Sequence, residues 1–266
     1  EHDNYPVQVV NGNNFSCIKT IRGQQAQCWG SNKYGAVGPR PGAAAPYPDA
    51  PADVTYIPLG GNIKVLSAEN DHVCAIITDV GASATKLKCW GSNSNDQLGN
   101  FSPVTDEFSP SISRTPVVAM LNVSMPLTNV NMVATGGFHT CVAAGLNNLV
   151  MCFGANNVGQ LGRGNQGSNQ MYAFPVFTED GSLLSEVKEL VAGDYHTCAL
   201  RNDGKVLCWG LNASGQLGTW NYATQTTATV VANTEDGSMH AVTHIAAGSA
   251  HSCASVDVDE RVYCWG

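Results

Sequence analysis

Short apolar runs recur along the chain at nearly constant spacing, and each run ends at a turn. They read VQVVNG, IKVLSA, NMVATGG, KELVAGD and VTHIAAG. Runs this short, bounded by turn residues, are typical of β-strands. A second stretch follows each run, in which apolar residues flank a polar turn. From Cys198 to Cys208 the chain reads CALRNDGKVLC, and Asn-Asp-Gly accepts the positive φ of a tight hairpin turn at low cost. The pattern therefore predicts a strand followed by a hairpin, many times over.

The hairpins share one motif, which occurs five times. The segments GNNFSC, ENDHVC, GGFHTC, GDYHTC and GSAHSC each end at a first cysteine, and these cysteines are 57, 67, 57 and 55 residues apart. A second cysteine follows, then Trp-Gly or Phe-Gly, and in four of the five segments a version of N-x-x-G-Q-L-G. One strand before the hairpin, two within it and one after the last turn make a four-stranded unit. Such a sheet leaves a face unburied, so neighbouring units must stack, as in a propeller or solenoid.

The repeats set the predicted organisation of the chain. The fold class is all-β, with tandem four-stranded antiparallel blades and almost no helix. The approximate repeats are residues 1–60, 61–128, 129–186, 187–241 and an incomplete 242–266.

The ten cysteines are even in number, and none lies in a C-x-x-C motif. A zinc ribbon or a thioredoxin-like site is therefore disfavoured. The hairpin places the two cysteines of a repeat opposite each other on adjacent strands, close enough for a disulfide. The alternative is five pairs of free buried thiols. The predicted bridges are Cys17–Cys28, Cys74–Cys89, Cys141–Cys152, Cys198–Cys208 and Cys253–Cys264.

The string H-x-C-A-L-x-x-D-G-x-V-x-C-W-G-x-N-x-x-G-Q-L-G, read from residue 196 onward, resembles the repeat of the regulator-of-chromosome-condensation family. That family also includes a bacterial β-lactamase inhibitor protein and the extracellular repeats of some plant receptor kinases. The resemblance spans residues 9–266 and implies a β-propeller, usually of seven blades, of which about five would be present here. The other blades would lie in further sequence or in another chain. An open array that stacks its ends into a filament is the alternative.

Three positions depart from the repeat. Phe15 stands where the other repeats have a histidine, and Glu69 stands where they have a glycine. Asp96 replaces the glycine of the N-x-x-G-Q-L-G turn. The histidines are His72, His139, His196 and His251, and the glycines are Gly12, Gly136, Gly193 and Gly248.

Charge and motifs exclude several classes of function. The formal net charge is −8, whereas nucleic-acid-binding domains normally carry a basic surface. We therefore expect no nucleic-acid partner. No run of 18 apolar residues is present, so no membrane insertion is expected. Residues 1–15 lack the pattern of a signal peptide, so a signal has been removed or the sequence begins internally. No catalytic motif stands out, and we predict no catalytic residue, no cofactor and no metal site.

The repeated histidines and tryptophans receive structural roles. Equivalent histidines in successive blades are spread around a ring, whereas metal ligands converge within a few ångströms. We therefore expect each ring nitrogen to bond the backbone. The motif tryptophans are predicted to be blade-packing residues, with sugar stacking as the alternative: Trp29, Trp90, Trp209 and Trp265. Trp220 and Tyr222 lie outside the motif and are either exposed contact residues or core residues.

Two pairs of loops are candidates for a functional role. Thr178–Ser182 and Thr234–Ser238 carry the same sequence, TEDGS, which fits a calcium-binding turn or, more simply, a tight hairpin. Residues 38–56 are rich in proline and residues 100–116 contain two Ser-Pro pairs. These are solvated surface loops, sites of O-linked sugar or docking elements.

Four N-x-[ST] sequons are candidates for N-glycosylation: Asn14, Asn100, Asn122 and Asn212. Asn14 and Asn212 lie within the repeat motif and are expected to be more enclosed. Together with the cysteines, the sequons predict a secreted or cell-surface location.

These features lead to one expected function and two alternatives. The expected function is non-enzymatic: an extracellular structural or adhesive protein whose blades display loops for contacts with other protein chains, copies of itself or glycans in a larger assembly. The first alternative is a soluble closed propeller that binds a ligand or inhibits an enzyme. A hydrolase is the second.

Overall fold

The computed structural model describes residues 5–22, 25–39, 52–101, 111–232, 239, 241–257 and 260–266. Within them the chain forms five antiparallel sheets and no helix. Four sheets have four strands and the fifth has three, and in every sheet the strands follow one another in chain order. The all-β architecture of tandem antiparallel blades is confirmed.

The sheets are numbered as blades 1 to 5. Blade 1 contains β1 (Pro6–Asn11), β2 (Phe15–Thr20), β3 (Gln25–Gly30) and β4 (Ala52–Pro58). Blade 2 contains β5 (Gly61–Glu69), β6 (His72–Asp79), β7 (Thr85–Ser92) and β8 (Ile112–Val118). Blade 3 contains β9 (Val130–Thr135), β10 (His139–Ala144), β11 (Leu149–Asn156) and β12 (Gly167–Pro175). Blade 4 contains β13 (Val187–Ala192), β14 (His196–Arg201), β15 (Val206–Gly210) and β16 (Gln225–Val230). Blade 5 contains β17 (Val242–Ala247), β18 (Ser252–Val256) and β19 (Arg261–Trp265).

The first strands of successive blades contact one another, so β1, β5, β9, β13 and β17 form the inner ring of the array. The predicted hairpin is the pair formed by the second and third strands. Between β14 and β15 the turn closes at Gly204, whose φ is 81°, a value that glycine adopts without strain.

The hydrophobic core lies between blades rather than within them. In β6, Val73, Ala75 and Ile77 pack toward blade 1, whereas Cys74 and Ile76 pack toward blade 3. Both faces of this strand are therefore buried, which explains its continuous apolar sequence. Each of the four core clusters contains residues of two successive blades, so no blade completes its core alone.

All ten cysteines form disulfides, and each bridge lies within one hairpin, joining the cysteines that the sequence paired. The two Cα atoms are 4.1 Å apart in every bridge. The paired cysteines sit directly opposite each other, as Cys198 and Cys208 do across β14 and β15. A bridge closing a loop this short stabilises the fold by about 3 kcal/mol in the loop-entropy account.

Candidate functional site

The motif histidines join neighbouring blades. The Nε2 atom of His72 lies 2.9 Å from the hydroxyl of Thr140 in the next blade, and His139 Nε2 lies 2.7 Å from Thr197 Oγ1. His196 Nε2 makes the equivalent contact with Ser252 Oγ at 2.9 Å. The prediction that these rings bond the backbone is therefore wrong. The residues that follow His139, His196 and His251 supply these hydroxyls to the preceding blade, while the ladders of the sheets occupy the strand backbone.

The proton position on these rings follows from the hydroxyl. Thr140 Oγ1 donates to the carbonyl oxygen of Gln97 at 2.9 Å, so it must accept from His72 Nε2, which carries the hydrogen. Burial lowers the pKa of His72 and of His139 to about 3. Burial likewise lowers the pKa of His196 to about 4. All three rings are therefore neutral at pH 7, and their Nδ1 atoms are buried without a partner.

The interface between blades 1 and 2 lacks this contact, because both residues that would form it are replaced. Phe15 takes the place of the histidine, and Val73 of blade 2 takes the place of the hydroxyl. The two residues share one core cluster. The aromatic ring keeps its position, because the ring of Phe15 fills the space above Gly12 as the ring of His139 fills the space above Gly136.

The motif tryptophans also join blades. Trp90 and Trp209 are fully buried, and their indole N–H groups donate to the carbonyl oxygens of Ala36 and Gln160 in the preceding blade at 2.8 and 2.9 Å. Trp265 donates to Gln216 in the same way at 2.9 Å. The predicted packing between blades is observed for these three. Trp29, the motif tryptophan of blade 1, differs and is 36% exposed.

One end of the inner ring carries the turns between the first and second strands. These turns, residues 12–14, 69–71, 136–138, 193–195 and 248–250, are called the axial rim. Three backbone bonds link the first turn to the second and the third, fourth and fifth turns to one another: Asn13 N to Asn70 O at 2.8 Å, Gly137 N to Gly193 O at 3.3 Å and Asp194 N to Ser249 O at 3.1 Å. The side-chain amide of Asn70 donates to Gly137 O at 3.1 Å and closes the remaining gap. The axial rim is therefore a continuous, hydrogen-bonded surface.

The axial rim is acidic and partly aromatic. Burial raises the pKa of Glu69, and the Asp194 carboxylate adds to the rise. Burial also raises the pKa of Asp71, against the opposing charge of Lys33. The rings of Phe138 and Tyr195 lie side by side, 5.3 Å between centroids. Apart from the Glu69 substitution, the sequence analysis missed this surface. The sequence feature that marks the axial rim is the pair of residues between the motif glycine and histidine, which varies from repeat to repeat.

The predicted candidates outside the motif are scattered. Trp220 and Tyr222 are exposed, at 69% and 75%. In the first TEDGS loop, Asp180 Oδ1 accepts from the backbone of Ser182 at 3.0 Å and from the Thr178 hydroxyl, which is the geometry of a tight turn. Within the described part of the chain, no three His, Cys, Asp or Glu side chains are grouped to hold a metal ion. The second TEDGS loop lies outside the described residues.

The four sequons occupy different environments. Asn14 is exposed on the axial rim, and Asn122 lies in a loop next to exposed Val123. Asn100 is partly buried, and Ser102 of its sequon lies outside the described residues. Asn212 is fully buried. Its amide donates to Thr219 and Asn221 and accepts from the backbone of Leu217, so the fold already uses this side chain.

The long loops are described only in part. Residues 40–51 of the proline-rich loop and 102–110 of the Ser-Pro loop lie outside the described residues. No helix in the described ranges has the length and apolar character needed to cross a bilayer.

Comparison with known proteins agrees with this architecture. The sequence profile of the Regulator of chromosome condensation (RCC1) repeat matches residues 147–200 and 203–255, and a second profile of that repeat matches residues 187–216. The chain is built from regulator-of-chromosome-condensation repeats. Its five sheets are the blades of a propeller of that repeat.

Individual relatives cover the chain to different extents. It is 26% identical to the Ultraviolet-B receptor UVR8 of Arabidopsis thaliana over 97% of this chain and 52% of the receptor. It is 30% identical to the human Probable E3 ubiquitin-protein ligase HERC4 over 70% of this chain and 16% of the ligase. The chain therefore spans about half of the receptor and much less of the ligase.

A solved structure shows the same fold. Yeast RCC1 (Prp20), crystallised with Kap60 bound, matches with a TM-score of 0.73 and 20% sequence identity. The match covers 99% of this chain and 56% of that one. At this identity the likeness concerns the fold, and it places the five blades in one propeller architecture.

Proposed function

We propose that this chain is a non-enzymatic, extracellular structural and adhesive protein whose blades display contact loops within a larger cell-surface or filament assembly. The observation that supports the proposal is the set of five disulfides, each within one hairpin of the stacked blades. The outer faces of blades 1 and 5, the first and last blades of this sequence, carry the groups that join neighbouring blades elsewhere. Other protein chains, including copies of this one, and glycans are the proposed partners.

The two outer faces are complementary halves of the contact that joins the inner blades. Blade 1 presents the Ser16 hydroxyl and the half-exposed indole of Trp29. Blade 5 presents the exposed imidazole of His251. In the inner interfaces the matching groups, such as His139 and Thr197, are fully buried against each other. A further blade of the same type would supply the matching groups.

The extracellular location is supported by the disulfides and three of the sequons. Five bridges within one chain are typical of secreted proteins, because the cytosol keeps thiols reduced. Asn14, Asn100 and Asn122 are the proposed glycosylation sites. We exclude Asn212 from this set, since its side chain is buried and fully bonded.

The absence of enzymatic activity is proposed from the state of the histidines. His72, His139 and His196 are buried, neutral and bonded to hydroxyls of the next blade. A general base must reach its substrate, and these rings do not reach the surface. Hydrolase activity in the purified chain, abolished by one substitution, would overturn this part of the proposal.

Association of the purified native protein tests the assembly. We expect mass photometry to show species larger than one chain, and their fraction to increase with concentration. Trp29→Ala and His251→Ala each remove part of an outer face and should lower that fraction. Leu146→Ser changes a fully exposed residue of blade 3 and serves as the control, which should associate like the wild type.

The contrary result favours the alternative function. A single-chain mass at every concentration, unchanged by Trp29→Ala and His251→Ala, would indicate a soluble closed propeller. Such a protein would bind a ligand or inhibit an enzyme through a propeller face, as the first alternative holds.

A further inference from the structure

A cavity of about 440 Å³ opens between blades 3 and 4. One wall is the blade 3 loop of residues 178–185, which follows β12. The other wall is made by Arg201 at the end of β14 and by apolar residues of β15 and β16, including Leu207 and Val230. The cavity lies away from the outer faces of the array and is independent of the proposed function.

The polar lining is peculiar to this interface. One repeat earlier, Ala144 occupies the position of Arg201, Leu121 that of Thr178, and Met151 that of Leu207. These three residues belong to the apolar cluster between blades 2 and 3. One repeat later, Val256 stands in the position of Arg201 and packs in the cluster between blades 4 and 5. The fold therefore does not require a guanidinium at this position.

Arg201 is incompletely bonded. Among the described residues its buried Nε atom has no hydrogen-bond partner. An ion pair joins Nη2 to Asp203 Oδ2 at 3.4 Å, between side chains that are 33% and 39% exposed. That distance is long for a hydrogen bond. A buried N–H of a charged group without a partner is costly, and a ligand that fills the cavity would supply the missing acceptor.

The carboxylates of the cavity already have partners. Glu179 Oε1 accepts from the Thr229 hydroxyl at 3.2 Å. Asp180 accepts from the Thr178 hydroxyl and the Ser182 backbone, and these bonds lower the pKa of its carboxyl. These bonds leave both carboxylates charged. The cavity group that lacks a partner is the Nε–H of Arg201, so the ligand must present an acceptor to the guanidinium. Because two carboxylates stand nearby, a singly charged anion is favoured over a phosphate dianion.

We propose that this cavity binds a monocarboxylate with an aliphatic body, the carboxylate pairing with Arg201 and the body packing on Leu184, Leu207 and Val230. A carboxylate matches the planar fork of the guanidinium through two parallel N–H···O bonds. Apolar side chains beside the charge provide the surface for a branched aliphatic group. A free small carboxylic acid and the carboxyl terminus of a peptide both present this chemistry.

Titration with matched probes tests the ligand class. N-acetyl-leucine carries the carboxylate, and N-acetyl-leucinamide has the same shape without the charge. We expect the acid to shift the side-chain Nε–H signal of Arg201 in NMR spectra. The amide should bind at least about tenfold more weakly, because charge-assisted bonds are roughly twice as strong as neutral ones. Inorganic phosphate should bind more weakly than the acid.

A second titration, with peptides, distinguishes a peptide carboxyl terminus from a free small carboxylic acid. A pentapeptide ending in free leucine is compared with its C-terminal amide and with N-acetyl-leucine. Tighter binding of the free-acid peptide than of N-acetyl-leucine assigns the site to a peptide terminus. Binding of N-acetyl-leucine alone assigns it to a small carboxylic acid.

Substitutions of Arg201 test its role in binding the acid. Arg201→Gln should weaken binding of the acid at least about tenfold, and Arg201→Lys should weaken it less, because it keeps the charge but loses the fork. The control is Arg163→Gln, since Arg163 bonds Asn165, Ser168 and Gln170 within blade 3. That variant should bind like the wild type.

Three results would overturn the proposal. The first is equal affinity for the acid and its amide, and the second is unchanged affinity in Arg201→Gln. The third is that no NMR signal shifts at a ligand concentration about 20-fold above a millimolar Kd. The thermal unfolding of Arg201→Lys is measured beside the binding, so that a loss of affinity is assigned to the site only in a folded protein.

Discussion

Mild acid is expected to unfold this array. On lowering the pH from 6.5 to 4.5, the free energy of unfolding should fall by on the order of 8 kcal/mol from His72, His139 and His196 together. A change of that size is comparable with the whole stability of a typical domain. The measurement is urea unfolding, followed by circular dichroism, at half-unit steps of pH.

The loss of stability at low pH follows from the lowered pKa values of the three histidines. In the fold the three rings stay neutral down to about pH 3 to 4, whereas in the unfolded chain they take up protons below about pH 6.5. The unfolded state therefore binds more protons between these limits, and stability is lost as the pH falls through that window. Each ring contributes about 1.4 kcal/mol per pH unit.

Blade 1 supplies the matched control for this prediction. The double substitution His139→Phe and Thr197→Val copies the Phe15–Val73 pair into the interface between blades 3 and 4. One titrating ring is removed while an aromatic ring remains, so the dependence of stability on pH should become about one third less steep. A slope unchanged by the double substitution, or a stability independent of pH from 6.5 to 4.5, would contradict the account.

Removal of one motif tryptophan is expected to have the second largest effect. Trp209→Ala should lower the free energy of unfolding by about 3 to 5 kcal/mol, the usual cost of truncating a large buried aromatic residue. Trp209 is fully buried and donates to Gln160 O at 2.9 Å. The same urea experiment measures it at pH 7.

Two further variants separate packing from hydrogen bonding. Trp29→Ala, measured at concentrations where mass photometry shows single chains, changes the same motif position on the exposed face of blade 1 and should cost well under half as much. Trp209→Phe keeps an aromatic ring but leaves the Gln160 carbonyl without this donor, and it should cost an intermediate amount. Equal losses in Trp29→Ala and Trp209→Ala would show that burial between blades does not determine the role of this residue.

The sequence predicts the blades well because each one repeats the same local physics. Strand, hairpin turn and paired cysteines are determined within about 30 residues, as in the run from Val187 to Gly210. The disulfides followed from the hairpin, and the packing of Trp90, Trp209 and Trp265 followed from their place in the motif.

The histidine–hydroxyl contacts between blades were harder to predict, because they join residues 56 to 68 positions apart. The sequence around His139 does not show that its ring faces the Thr197 hydroxyl rather than the backbone. The paired replacement at Phe15 and Val73 is explained only by the stacking of blades 1 and 2. The cavity beside Arg201 was missed for the same reason. Its walls come from two blades, and the residue that distinguishes it lies outside the repeated motif.

Association with other chains is the central claim, and electron cryomicroscopy of the native protein tests it most directly. We expect density of a blade from another chain against the outer face of blade 1 or of blade 5, with a hydroxyl within hydrogen-bonding distance of His251 Nε2 or a carbonyl oxygen at the indole N–H of Trp29. Blades of the same chain against both faces would indicate the closed propeller instead. Particles in which both Trp29 and His251 face solvent would contradict the account.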